Sequence, residues 1–246
     1  MTYVEGFIVP VPRDNKEAYR AHAAGAWPLF QEFGARRLVE AWGSDVQEGK
    51  VTDFRKAVLA EEGEEVVFSF FEYPDKAARD AATARMMSDP RMEGMGSTMP
   101  FDGKRMIFAG FQSFVDEGDG AAGAYVDGFV LPVQEDKREA YAEMAAKAAA
   151  IFREHGALRV VEAWGDGIAD GKVTDYKRAV QAKEGDNVVF SWIEWPDKAT
   201  RDSGWNKLMA DERMKPEGEM PFDGQRMFWG GFEMLVDSAG NKGMER

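Results

Sequence analysis

The sequence predicts an α+β protein built from two ferredoxin-like βαββαβ units that close face to face into one α/β barrel. Three observations carry this. The 246-residue chain repeats itself, MPFDGKRM at 99–106 returning as MPFDGQRM at 220–227. Tyr3-Val4-Glu5-Gly6-Phe7 likewise matches Tyr125-Val126-Asp127-Gly128-Phe129, and VEAWG, GKVTD and VVFS each occur twice. The offset is 122 residues as far as 93–98, where the second copy is one residue shorter. Both copies then show the same succession of strand and helix patterns. Finally, the strands are apolar on both faces, as in Phe7 beside Ile8 and Phe70 beside Phe71. A ferredoxin-like sheet carries helices on one face only, and the other copy is the cheapest cover for the second face. The repeats are expected at 1–117 and 124–238, joined by the acidic, Gly- and Ala-rich DEGDGAAG at 116–123.

Within the first copy, YVEGFIVPV (3–11) reads as a strand rich in β-formers. A helix is expected from Asp14, as N-cap, to Phe33, closed by Gly34. ARRLVEAWG (35–43) reads as a second strand. A loop around Gly49 and a short extended piece at KAVLA (56–60) follow. EVVFSFFEY (65–73) is a strong strand ended by Pro74, and Asp75 caps a second helix running to Ser88. RMIFAGFQSFV (105–115) supplies the last strand. The second copy repeats each element.

Composition narrows the function classes. With 31 basic and 44 acidic residues the net charge is -13, and no Lys/Arg cluster suited to a phosphate backbone is present, so neither nucleic acid nor an anionic membrane is expected as partner. There is no cysteine, which excludes disulfides, thiolate metal sites and cysteine nucleophiles. No apolar run approaches the roughly 20 residues of a membrane span. The N-terminal stretch lacks the pattern of a secretory signal, so a cytoplasmic location is expected. P-loop, GxGxxG, HExxH and GxSxG patterns are missing.

YVDGFVLPV, FREHGALRVVEAWGDG, GKVTDYKRAV, VVFSWIEWPDKATRD, DERM and MPFDGQRM together resemble the YbaA-like family of bacterial domains. Both copies match along nearly their whole length. The resemblance implies membership of the dimeric α/β-barrel superfamily, in which two ferredoxin-like chains usually share a barrel. Relatives at that wider level include cofactor-free monooxygenases, haem enzymes, lactone isomerases and ligand-sensing domains. The family's usual form is a single copy, so the fused chain departs from it and is expected as a monomeric intramolecular pseudo-dimer, with higher assembly open.

Duplication offers an internal test, because a residue kept in both copies is a better candidate than one present once. Glu40 and Glu162 pass and are the catalytic candidates. In a strand they share a face with Trp42 and Trp164. Glu72 and Glu194 share a face with Phe70 and Trp192, and Glu5 and Asp127 alternate with Phe7 and Phe129. Facing inward, such carboxylates among aromatics would line a barrel cavity, and one of them would serve as a base with a raised pKa. The ligand-binding candidates are therefore Trp42, Trp164, Glu72, Glu194, Arg105 and Arg226. The alternative is that the carboxylates are ion-pair partners of Arg105 and Arg226. His22 and His155 fail the test, since they align with Met144 and Phe33. They are expected as surface or helix-end residues, and no metal or other cofactor is expected.

Arg79-Asp80 and Arg201-Asp202 suit solvated pairs or helix clamps. Lys50, Thr52 and Asp53, with Lys172, Thr174 and Asp175, suit a loop over a barrel mouth or a hydrogen-bonded turn. The FDG of each octet suits a turn. Met86, Met87, Met92, Met95, Met99 and Met106 suit adaptable core filling. The functional expectation is a barrel binding a small, partly apolar molecule in its cavity. A cofactor-free oxygenase or isomerase using a cavity carboxylate, and a structural protein without ligand, are the alternatives.

Overall fold

The structure is a computed structural model describing residues 1–92, 99–120, 123–215 and 218–244. Met95 and part of the connector fall outside the described residues. The first repeat comprises β1 (Tyr3–Pro12), α1 (Lys16–Phe33), β2 (Arg37–Val46), the one-turn α2 (Phe54–Ala57), β3 (Glu64–Tyr73), α3 (Lys76–Ser88) and β4 (Ile107–Gly118). The second comprises β5 (Tyr125–Gln134), α4 (Arg138–Glu154), β6 (Arg159–Gly165), α5 (Tyr176–Ala179), β7 (Asp186–Trp195), α6 (Lys198–Ala210) and β8 (Phe228–Asp237).

Local chemistry explains most boundaries and two corrections. Gly34 closes α1 in the left-handed region, φ 118°, and its N–H reaches the carbonyls of Phe30 and Gln31. Asp75 caps α3 by accepting from the Ala78 N–H at 2.8 Å. Asp14, however, caps nothing: Arg13–Asn15 forms a 3-10 turn, and Asn15 spends its amide on the Pro100 carbonyl at 2.8 Å. The extended piece expected at 56–60 is instead the end of α2 and the turn after it. Asp53 accepts from the Lys56 N–H at 2.8 Å, and this N-cap outweighs the strand preference of Val58.

The eight strands close one antiparallel barrel in the order β1-β3-β2-β8-β5-β7-β6-β4. Each repeat contributes a ferredoxin-like group of four. Two seams join the groups, β2 on β8 (from Val39↔Asp237 to Val46↔Gly230) and β4 on β6. The interior is solid. Val4, Ile8, Val39, Ala41, Phe68 and Phe70 pack there against Val126, Val130, Val161, Ala163, Phe190 and Trp192. Phe68 and Phe190 stack at 4.5 Å and 2°, and Phe70 stacks on Trp192 at 4.1 Å. Gly6 and Gly128 flank the first stack, where an added Cβ would meet the Phe190 ring at 2.9 Å and the Phe68 ring at 2.7 Å. The cavity expected inside the barrel is therefore replaced by aromatic packing.

Both ends of the barrel are also closed. At one, Phe54 of α2 and Tyr176 of α5 enter the core, and Thr52 and Thr174 donate reciprocally to the carbonyls of Ala179 and Ala57. The Lys50–Asp53 and Lys172–Asp175 segments thus form a capped plug. At the other end lies a buried ionic cluster. Arg37 binds Glu194 at 2.8 Å and Asp237 at 2.8 Å, while Arg159 binds Glu72 at 2.7 Å and Asp116 at 2.8 Å. Each arginine pairs across one seam and across the barrel. No helix of the described residues is long and apolar enough to cross a membrane.

Candidate functional site

In β2 the side chains of Val39 and Ala41 point into the barrel, so alternation sends Leu38, Glu40 and Trp42 to the outer face, beneath α1. There the structure has what the interior lacks. A cavity of about 310 Å³ lies between the outer sheet face and α1, lined by Phe7 and Val9 of β1, Leu38 and Glu40 of β2, and Ser69 and Phe71 of β3. Tyr19, His22, Ala23, Ala26 and Phe30 roof it from one stripe of α1, and Met92, Met99, Phe101 and Met106 close the side. The second repeat has the matching cavity under α4, about 120 Å³, lined by Phe129, Leu131, Tyr141, Val160, Glu162 and Ser191 among others.

The polar heart of each cavity is a trio. Glu40 Oε2 accepts from the Tyr19 hydroxyl at 2.7 Å, and Glu162 Oε2 accepts from Tyr141 at 2.8 Å. Ser69 and Ser191 stand directly across the strand pairing from the two glutamates. Burial pushes each carboxyl up to about 7, against the hydrogen bonds from tyrosine and serine that favour the charged form. Burial and the adjacent carboxylate hold Tyr19 and Tyr141 well above the usual phenol range, so both remain neutral donors. His22 is pushed down by burial, which leaves it neutral at neutral pH.

The other predicted residues lie elsewhere. Trp42 is 7% exposed in a cluster with Val9, Val11, Tyr19 and Val67, and Lys16 Nζ sits 5.1 Å over its ring. Trp164 has the matching place, with Arg138 over it at 5.1 Å. Neither tryptophan lines either of these two cavities, so both belong to the packing beside them. Glu72 and Glu194 belong to the ionic cluster at the barrel end. Arg105 grips Glu64 with two bonds of 2.7 Å and Asp102 with one of 2.8 Å, while Arg226 binds Asp186 and Asp223. These arginines clamp the FDG turns to β3 and β7 and touch neither Glu40 nor Glu162. Arg201 likewise clamps α6 to Asp127, whose carboxylate also accepts from the indoles of Trp195 and Trp205. His155 pairs with Asp211 at 2.9 Å near the end of α4.

Sequence reasoning missed Tyr19, Tyr141, Ser69 and Ser191. All four are kept in both copies and would have passed the test applied to the glutamates. It also discarded His22, which the structure places in the larger cavity. Among the described residues no group of three or more His, Asp or Glu side chains is arranged to hold a metal ion.

Comparison with known proteins agrees with the duplication. The profile of a family described as "Protein of unknown function (DUF1428)" matches residues 2–103 and again 124–224. The Escherichia coli K12 protein described as "Uncharacterized protein YbaA" is 67% identical over 117 residues, which is 48% of this chain and the whole of that relative. Among solved structures, a monooxygenase-like protein of Lactobacillus acidophilus NCFM superposes with TM-score 0.60 at 9% identity, covering 98% of this chain and 97% of the other. An anthrone oxidase-like protein superposes with TM-score 0.57 at 11% identity, covering 98% and 94%. At such identities the likeness is one of fold.

Proposed function

Because the chain belongs to the DUF1428 family, twice over in tandem, we propose that it binds a small, uncharged, mostly apolar molecule between sheet and helix, where Glu40 takes a proton from it. The observation that carries this is the Tyr19–Glu40–Ser69 trio opening onto a cavity whose other lining side chains, His22 apart, are apolar. A carboxylate near 7 is divided between its two forms at neutral pH, the condition under which a general base works best. Tyr19 holds one carboxylate oxygen and fixes the orientation of the other. Among the described residues no Lys or Arg lines the cavity, so a phosphorylated or carboxylated ligand would be desolvated without compensation. Proton abstraction of this kind begins both isomerisation and cofactor-free reaction with oxygen. The superposed monooxygenase-like folds support this reading by analogy of architecture alone.

The test uses 2-naphthol, a neutral two-ring phenol whose excited state gives up its proton when a base adjoins the hydroxyl. At pH 8 the bound probe is expected to emit as naphtholate, and Glu40→Gln to restore naphthol emission with binding retained. Naphtholate emission that survives the substitution overturns the assignment of Glu40.

A further inference from the structure

The two trios are alike, but their surroundings are not. The first cavity is about 310 Å³ and the second about 120 Å³. Leu131 in the second replaces Val9 of the first. Trp205 packs on Phe152 at 5.2 Å and on Phe129 at 6.4 Å, and both of these rings line the smaller cavity. The counterpart of Trp205 is Thr83, and the corresponding rings Phe7 and Phe30 lie instead against Phe71, at 5.9 and 4.6 Å. The polar inventory differs as well. His22 stands one turn after Tyr19 on the cavity face of α1, edge-on to Phe101 at 6.2 Å, and Met144 occupies its place on α4.

This last difference matters for proton abstraction. When Glu40 removes a proton from a hydroxyl, negative charge appears on the ligand oxygen and needs a donor. Tyr19 cannot supply it, because its hydroxyl is committed to Glu40. A neutral imidazole offers one N–H, and His22 has no hydrogen-bond partner among the described residues. Methionine offers no donor, so among the described residues Glu162 has a tyrosine to orient it and no imidazole to receive the charge it would create.

Resting on the function proposed above, we infer that the chain works with a single site, that of the first repeat, and that His22 stabilises the oxyanion of a phenol- or enol-type ligand whose proton passes to Glu40. The second repeat keeps the trio in the smaller cavity, with methionine at the donor's position. Duplication thus yields one working site and one structural copy.

Titration of the full chain with 2-naphthol is expected to saturate at one molecule per chain. His22→Met should suppress naphtholate emission about tenfold, the loss of one hydrogen bond to a developing charge, with binding of the ground-state naphthol changed less. His22→Gln keeps an N–H donor and should retain most of that emission, which separates donation from packing. Two molecules per chain, or equal losses in the Met and Gln variants, overturn this inference and leave the role of Glu40 standing. Binding that is absent altogether, or naphtholate emission indifferent to Glu40→Gln, overturns both.

Discussion

Glu40 and Glu162 hold their protons more tightly folded than unfolded, and this sets a pH dependence of definite sign. The stability each contributes is fully present below about pH 4.5 and is lost as pH rises through about 7. A shift of this size corresponds to about 3 kcal/mol per group as an upper figure. Glu40→Gln cannot ionise, so its unfolding free energy should gain on the parent protein between pH 5 and pH 8. Parallel denaturant profiles at the two pH values would contradict the desolvated carboxyl. Trp42 is core rather than cavity wall, and Trp42→Ala should cost about 3–5 kcal/mol in the same measurement. A loss below about 1 kcal/mol would return the ring to a ligand surface. The candidate carboxylates were legible because they recur with fixed neighbours. Their direction was not. When both faces of a strand are apolar, alternation groups Leu38, Glu40 and Trp42 together without saying whether that group meets a helix or the opposite sheet. Tyr19 and Ser69 were hidden by ordinariness, since one helical tyrosine and one strand serine carry no motif.

Among the elements, strands and long helices followed from periodicity, and the short ones did not. The four residues of α2 are too few for a period to register, and their helicity comes from one cap, Asp53, whose carboxylate also receives the Gly49 N–H at 3.1 Å. Gly49 is required for this loop, because an added Cβ would run into the Thr52 carbonyl oxygen, and Gly171 meets Thr174 in the same way. Gly49→Ala should therefore destabilise the chain by roughly 1–3 kcal/mol by displacing the plug. Hydrogen exchange should show the increase first at the amides of α2 and α5. Unchanged protection there would mean that the plug does not depend on the turn.

At the scale of the molecule, the fused barrel was readable because two-sided strands and duplication demand the same solution. The charges that lock it were not singled out, although Arg37 and Arg159, like Asp116 and Asp237, occur in both copies. A buried pair shows itself in sequence only as an ordinary charge. Residues 1–117 alone would leave β2 without β8, β4 without β6, and Arg37 without Glu194 and Asp237. That fragment should self-associate, rebuilding both seams between two copies. Sedimentation decides the matter: a folded monomer at all concentrations would be inconsistent with the closed barrel described above.

The seam between β2 and β8 also governs time. Val39 finds its partner Asp237 nearly two hundred residues later, so a growing chain must be made past that residue before the edge can close. Until then β2 waits with the backbone donors and acceptors of its free edge bare, a template for any passing strand. Dilution during refolding would favour the chain's own β8, whereas crowding would let two chains exchange it. The junction that makes the finished protein self-contained therefore exposes the newborn one to mispairing.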